Sequence, residues 1–472
     1  MRKLGWFVMV LGGGAASIAL GAAGCGSGDS SGFDASNDQT NPFATDTGNP
    51  FVDGGVSSDG KQCTGLCTKI VNCGSQPPTS VSGTVYDPAG KVPLYNVAVY
   101  VPNAPLSPIV HGATCDTCGS TLSGDPVVAT LTDAAGHFKL DNVPVDQDVP
   151  LVIQIGKWRR RITLPATPQC ADTPLPAAQT RLARKPAETS PDDDIPKIAI
   201  ATGGADALEC LLPLIGIDSG EFTNVSGGGR VNLYKGNGGS VINGSTPGAQ
   251  PFWSDANQLK NYDITMLSCE GSTYPTTKPA SALQAMQTYA NAGGRVFASH
   301  FHYYWLQSSP APWPTTATWN HASNPPQTQW PVLIDQSFAK GQAFAQWMLN
   351  VGGSTTLGTF PIDQARHDVD AVNGQPPSDP VSVRWVYANS PNLVEYYSFN
   401  TPVGKPTDQQ CGKVVFSDLH VGAGNQPGGT FPSTTCTQSP TLTPQEKALE
   451  FLLFDLSSCI QNDTTPPPPP VR

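Results

Sequence analysis

The sequence is poor in charge. Only 13% of its 472 residues are Asp, Glu, Lys or Arg, and the formal balance is −11 at neutral pH. That excludes the basic surface with which a protein neutralises nucleic-acid phosphates. Beyond the first 24 residues the chain also lacks any apolar run long enough to span a bilayer. What it has in quantity is glycine and proline, 48 and 46 residues, so turns and loops take up much of its length. A chain of this size has room for two or three domains.

The start is built differently from the rest. Met1-Arg2-Lys3 is a short positive segment, and Leu4 to Leu20 is apolar but broken by glycines and alanines. Leu20-Gly21-Ala22-Ala23-Gly24-Cys25 resembles a lipobox, with Ala22 where lipoboxes favour leucine. Residues 1–24 are therefore expected to be a lipoprotein signal peptide, with lipid on Cys25 as the membrane anchor. The competing reading is an ordinary secretory signal that leaves Cys25 a plain thiol. Residues 25–62, rich in Gly, Ser, Asp, Asn and Thr, read as a flexible tether. Gly26 does not supply the aspartate that retains some lipoproteins at an inner membrane. An outer-membrane or cell-surface location outside the cytoplasm is the expectation.

Twelve cysteines in an exported chain point to disulfides. With Cys25 set aside, six fall early (Cys63, Cys67, Cys73, Cys115, Cys118, Cys170) and five late (Cys210, Cys269, Cys411, Cys436, Cys459). The even early set could close on itself, and the odd late set leaves one free thiol or one inter-domain bridge. Cys115-x-x-Cys118 has the spacing of metal ligands, but no second close pair accompanies it.

After a Cys-rich segment, 63–79, residues 80–165 change character. Short alternating strands are expected at Val81–Tyr86, Val97–Val101 and Val149–Ile155, with Ala129–Phe138 a hairpin turning at Gly136. Such spacing predicts a small β-sandwich. The text SGTVYDPAGKVPLYNVAVYV…TLTDAAGHFKLDNVP resembles carboxypeptidase regulatory-like domains of prealbumin-like fold. That likeness implies a non-catalytic companion domain, of a class sometimes grouped with carbohydrate-binding-like folds. Lys157-Trp158-Arg159-Arg160-Arg161 reads either as an anion-binding patch or, preferably, as an edge strand kept soluble by charge.

Residues 166–195 read as a linker, and 196–460 as an α/β domain with a Trp- and Pro-rich insert at 307–400; 461–472 is a Pro-rich tail. Strands are expected at 197–202, 263–268, 295–299 and 412–417. Helices are expected near Asp206, over Ser281–Ala292 and from the capping box at Thr443. The alternation predicts a doubly wound, flavodoxin-like parallel sheet. Ligands bind such sheets beyond the carboxyl ends of the strands, where Glu270, Ser299, His300, His302, Asp418 and His420 gather.

The segments YDITMLSCEG, LQAMQTYANAGGRVFASHFHYYWL and CGKVVFSDLHVG resemble class I glutamine-amidotransferase-like proteins, in particular the ThuA-like branch. The resemblance implies that His420 corresponds to the amidotransferase histidine. The elbow of true amidotransferases carries cysteine between glycines, however, and here reads Ala298-Ser299-His300-Phe301; no acid follows His420 by two residues. Glutaminase chemistry is not expected. His300, His302, His420 and Asp418 are the candidate ligands of a divalent metal such as zinc; His420, Ser299 and Glu270 are the candidate catalytic set. The competing readings are packed histidines, and a Glu270 that only caps a turn. The preferred function is a membrane-anchored binding protein for a glycan or an envelope protein, with Trp305, Trp313, Trp319 and Trp330 available to stack on sugars. The second is a metal-assisted hydrolase of sugar or cell-wall material, and the third a purely structural lipoprotein.

Overall fold

A computed structural model describes residues 63–374, 381–420, 427–431, 436 and 441–470. The expected signal peptide and tether, with Cys25, lie outside the described residues. Among those described, no helix is long and apolar enough to cross a membrane.

Seven strands build the sandwich: β1 (Ser80–Thr84), β2 (Ala98–Pro102), β3 (Pro126–Leu131), β4 (His137–Asp141), β5 (Gln147–Ile155), β6 (Trp158–Ala166) and β7 (Asp172–Pro174). They form a three-stranded sheet, β4-β1-β7, and a four-stranded sheet, β3-β2-β5-β6. The expected hairpin at Ala129–Phe138 is not one: β3 pairs with β2, and β4 with β1. Its turn instead carries the chain from one sheet to the other. The Asp133 carboxylate accepts from Ala135 and His137 amides to shape that crossing, and Gly136 supplies the positive φ. The stretch read as a linker is folded too. β7 within it pairs in parallel with β1.

The basic run forms edge strand β6, but its charge is not left in water. Arg159 and Arg160 are buried; Arg159 donates to the Ser107 and Asp192 carbonyls, and Arg160 to that of Arg181.

Twelve further strands follow: β8 (Ile198–Thr202), β9 (Phe222–Thr223), β10 (Val231–Lys235), β11 (Ile264–Leu267), β12 (Arg295–Ser299), β13 (Ala317–Trp319), β14 (Trp330–Ile334), β15 (Thr359–Ile362), β16 (Val369–Val372), β17 (Val383–Asn389), β18 (Asn392–Thr401) and β19 (Gly412–Ser417). Ten of them make one sheet in the order β15-β14-β17-β18-β19-β12-β11-β8-β10-β9. From β9 to β19 all pairings are parallel. Leaving aside the two-residue β9, the order β10-β8-β11-β12-β19 is the 2-1-3-4-5 arrangement of flavodoxin-like sheets. The remaining four strands are antiparallel and all come from the 307–400 insert. The sheet is thus mixed rather than wholly parallel, and the insert is a continuation of it.

Both faces of the parallel part are covered, which is why its strands read as unbroken apolar runs. Ile198, Ile200, Val231, Leu233, Ile264 and Met266 face one core, shared with helix Pro444–Ser457. Ala199, Ala201, Val296, Ala298, Val414 and Phe416 face another, shared with helix Ala280–Asn291. The expected capping box is present: the Glu446 amide donates to Thr443 Oγ1, and the Glu446 carboxylate accepts from the Thr443 amide.

The sandwich shares the first of these cores. Trp158 packs on Phe454 at 5.4 Å, and Tyr95 stacks on Phe451. Gly156, with φ +52°, lies so close to the Ser457 carbonyl that any side chain would collide with it. The loop between β2 and β3 carries the rest of the seam. Its Cys115 and Cys118 are joined to Cys411 and Cys459. Two of the six early cysteines therefore pair with late ones, so the early set does not close wholly on itself, and Cys115-x-x-Cys118 is no metal site. The other bridges are Cys63–Cys67, Cys73–Cys170 and Cys210–Cys436, leaving Cys269 as the free thiol among the described residues.

At the seam's centre one carboxylate, Asp263, only 4% exposed, receives four donors. These are His111 Nδ1 at 2.7 Å, the Gly112 amide at 2.7 Å, Lys157 Nζ at 2.7 Å and the Lys197 amide at 2.6 Å. His111 Nε2 meets Asp194 at 2.9 Å. The Pro-rich tail is anchored as well. Asp463 sits in a buried quartet with Lys340, Lys413 and Asp455.

Burial pulls the His111 pKa down, but hydrogen bonds to Asp194 and Asp263 more than reverse this and raise it above 6.5. A raised folded-state pKa means that the charged ring's stabilisation is fully present below the unfolded value and is lost as pH rises through the folded one. His111→Gln should therefore lower the urea midpoint most near pH ~5.5 and least near pH ~9. A pH-independent deficit would show that the ring contributes only packing.

Candidate functional site

The sequence places its candidate residues at the carboxyl ends of β11, β12 and β19, and the structure shows how differently they are used. β12 ends at Ser299, and the chain turns sharply through His300, whose φ is +40°. A non-glycine residue in that region is strained. His300 thus sits at the strand-to-helix elbow where a nucleophile would stand.

His300–His302 is a 3-10 turn rather than extended backbone, so the two rings do not project to the same side as they would on a strand. His302 is fully engaged elsewhere. The Trp305 indole N–H, which can only donate, points at its Nδ1 at 2.9 Å. Its Nε2 must then carry the proton and donate to the Ser268 carbonyl at 2.8 Å. With no free lone pair, and with burial and the Lys278 charge pushing its pKa down to about 4, His302 leaves the expected ligand set.

His300 and His420 do meet. His300 Nδ1 lies 3.1 Å from His420 Nε2 and 3.3 Å from Cys269 Sγ, and His420 Nδ1 lies 3.4 Å from Gln364 Oε1. Burial, reinforced by the neighbouring His420 and Arg366 charges, pushes the His300 pKa down to about 2; burial also lowers that of His420. Both rings are neutral. Burial pushes the Cys269 thiol up to about 12, so it is a thiol and no ready nucleophile.

On the other side of His300 stand carboxylates. Asp368 Oδ2 is 3.5 Å from His300 Nε2, while its Oδ1 bonds His321 Nδ1 at 2.6 Å on the solvent side. Asp418 is wholly buried, and one of its oxygens accepts from the Asp368 amide at 2.9 Å. Glu395 on β18 is wholly buried beside them. Burial raises the pKa of both Asp418 and Glu395 well above the usual carboxylate range, with the other nearby acids adding to it.

Asp368 and Glu395 are absent from the expected set because both come from the insert, whose register no periodicity reveals. One signal was present for Asp368: Arg366-His367-Asp368-Val369-Asp370 is a dense polar run in a charge-poor chain.

The remaining candidates are structural. The Ser299 hydroxyl donates to Asp206 Oδ2 at 2.5 Å, and His420 does not touch it. Glu270 is buried, paired with Lys278 at 2.5 Å, and accepts from the Asn237 amide and side chain. It holds the turn between β10 and β11. Trp305 and Trp313 are fully buried core residues and offer no ring face to a sugar, whereas Trp319 and Trp330 are half-buried. A cleft of about 520 Å³ exists elsewhere, at the seam, lined by the loop bearing Cys115 and by Pro467–Pro470; it holds none of the candidate catalytic residues or histidines.

If Glu270 only holds the turn, Lys278→Met should cost about 3–5 kcal/mol by stranding a buried charge. Adding Glu270→Gln should restore most of it in thermal unfolding. A double variant as unstable as the single one would contradict that role.

No family model matches the chain, and no curated protein matches it. Among solved structures, SMU.1228c is similar at 10% identity, covering 55% of this chain and 99% of its own, with a TM-score of 0.32. A ThuA-like protein from Bacteroides uniformis is similar at 12% identity, covering 47% and 81%, with a TM-score of 0.23. A type II cohesin–X-dockerin complex from Acetivibrio cellulolyticus is similar at 14% identity, covering 32% and 88%, with a TM-score of 0.17. At these scores the likenesses carry no argument about activity, and the functional reading rests on the chain's own geometry.

Proposed function

We propose that this chain is an exported envelope lipoprotein, anchored through Cys25, whose α/β part receives a ligand at the carboxyl edge of its sheet without a covalent nucleophile. One observation carries the reading: the elbow position is filled by His300, and the two nucleophile types beside it are disabled. Ser299 is tied to Asp206, and Cys269 is buried and protonated. A glycan or an envelope protein remains the proposed partner. A stacked sugar would now fall to Trp319 or Trp330 rather than to the two buried tryptophans.

A second reading, metal-assisted hydrolysis of sugar or cell-wall material, is favoured by the carboxylates facing His300. It too needs no side-chain nucleophile, because a metal-bound water serves instead.

Two measurements test the proposal. In cell fractionation the wild-type chain should follow the membranes, and Cys25→Ser should be released; a variant that stays bound would overturn the anchor. Treating the purified protein with a fluorophosphonate and with iodoacetamide should leave Ser299 and Cys269 unlabelled by intact mass and peptide mapping. A stoichiometric adduct on either would restore nucleophilic catalysis.

A further inference from the structure

We propose that His300, Asp368 and Asp418 hold a divalent cation, bound by the imidazole Nε2 and two carboxylate oxygens. The candidate donor atoms of these three residues lie within 4.8 Å of one another. The site differs from the set expected from sequence: His302 and His420 are out, and Asp368 is in.

The hydrogen-bond directions lead to this arrangement. In the tautomer in which Gln364 Oε1 accepts at 3.4 Å, His420 Nδ1 carries that ring's proton. Neutral His420 then presents a lone pair on Nε2, which takes the proton of His300 Nδ1. His300 is left with a lone pair on Nε2, aimed at Asp368 Oδ2 only 3.5 Å away. An acceptor facing an acceptor is repulsive unless something positive stands between them.

The carboxylates pose the same problem independently. Asp418 is 0% exposed, yet its Oδ1 has no donor from any group other than the facing Asp368 carboxyl. Asp368 Oδ2 is likewise without a hydrogen-bond donor. Among the described residues no lysine or arginine is ion-paired with either acid, or with Glu395 behind them. Lys278 is held by Glu270, and Arg366 is bonded to Gln327 and to the Gln364 and Ala365 carbonyls. Buried carboxylates without partners cost several kcal/mol each, and the usual remedies are a counter-ion, a metal or a captured proton.

One nitrogen and two oxygens suit zinc or manganese rather than a softer ion. The Cys269 sulfur lies against His300 Nδ1, on the far side of the ring, and does not enter the shell. Three protein donors leave coordination positions open, as in sites that bind water or a ligand rather than purely structural ones. His321, the partly exposed partner of the outer Asp368 oxygen, would orient that ligand from the solvent side. The site stands whether or not the protein turns over a substrate.

The test uses the full mature chain stripped with chelator and dialysed, titrated calorimetrically with Zn²⁺ and with Mn²⁺. One ion per chain should bind. Asp418→Asn and His300→Ala should each weaken it by at least about 100-fold, while His137→Gln, on the exposed face of the sandwich, should not change it. Thermal melting guards against misfolded variants. In chelator, Asp418→Asn should melt at or above the wild-type temperature, because it relieves the crowding of acids. With metal, only the wild type should rise. Failure of the wild type to bind either ion would overturn the proposal, leaving a shared proton between the acids. So would equal binding by Asp418→Asn.

Discussion

Asp263 is the residue on which the arrangement depends. It stands immediately before β11, in the middle of the parallel sheet, and its carboxylate takes donors from three different parts of the chain. Burial works to raise its pKa, but His111 and Lys157 outweigh that and hold it below the usual carboxylate range. The sandwich loop and the first sheet strand are thus bound to one charge that water hardly reaches. Neutralising it would release three segments at once.

Around that charge the seam is closed by other means. Cys115–Cys411 closes a very long loop, for which chain entropy gives on the order of 5 kcal/mol; Cys118–Cys459, formed beside it, closes only what remains and adds less. Gly293 shows how close the two parts come. It ends helix Ala280–Asn291 with positive φ, and a side chain there would strike the Thr114 carbonyl of the sandwich loop. The sandwich is therefore a brace on the sheet. Since Cys411 directly precedes β19 and Arg295, the first residue of β12, bonds the Cys411 and Ser458 carbonyls, the brace fixes the strands whose far ends deliver His300 and Asp418.

Much of this was legible in the residues, for identifiable reasons. β8, β11, β12 and β19 were readable because buried parallel strands are nearly pure apolar runs bounded by glycine or polar residues, and Thr443-Pro444-Gln445-Glu446 announces its helix through local hydrogen bonds alone. His300 and Asp418 followed from the strand ends. What could not be read depends on partners distant in sequence. Cysteine pairing is not encoded in spacing, which is why Cys115 and Cys118 were grouped with the early set. Asp368 and Glu395 join the site only because the insert extends the sheet, and His302 left it because a turn, not a strand, follows Ser299. The histidine held away from the site by Trp305 and Ser268 and the aspartate that the sequence did not reveal are separated by backbone geometry, not by residue type.

Braced at Asp263, sandwich and sheet should unfold as one cooperative body. Differential scanning calorimetry of the disulfide-intact protein is the direct test. A single transition is expected, with calorimetric and van't Hoff enthalpies that agree. Two separated transitions, or a calorimetric enthalpy about twice the van't Hoff value, would show that the sandwich melts independently and that the seam is only a contact.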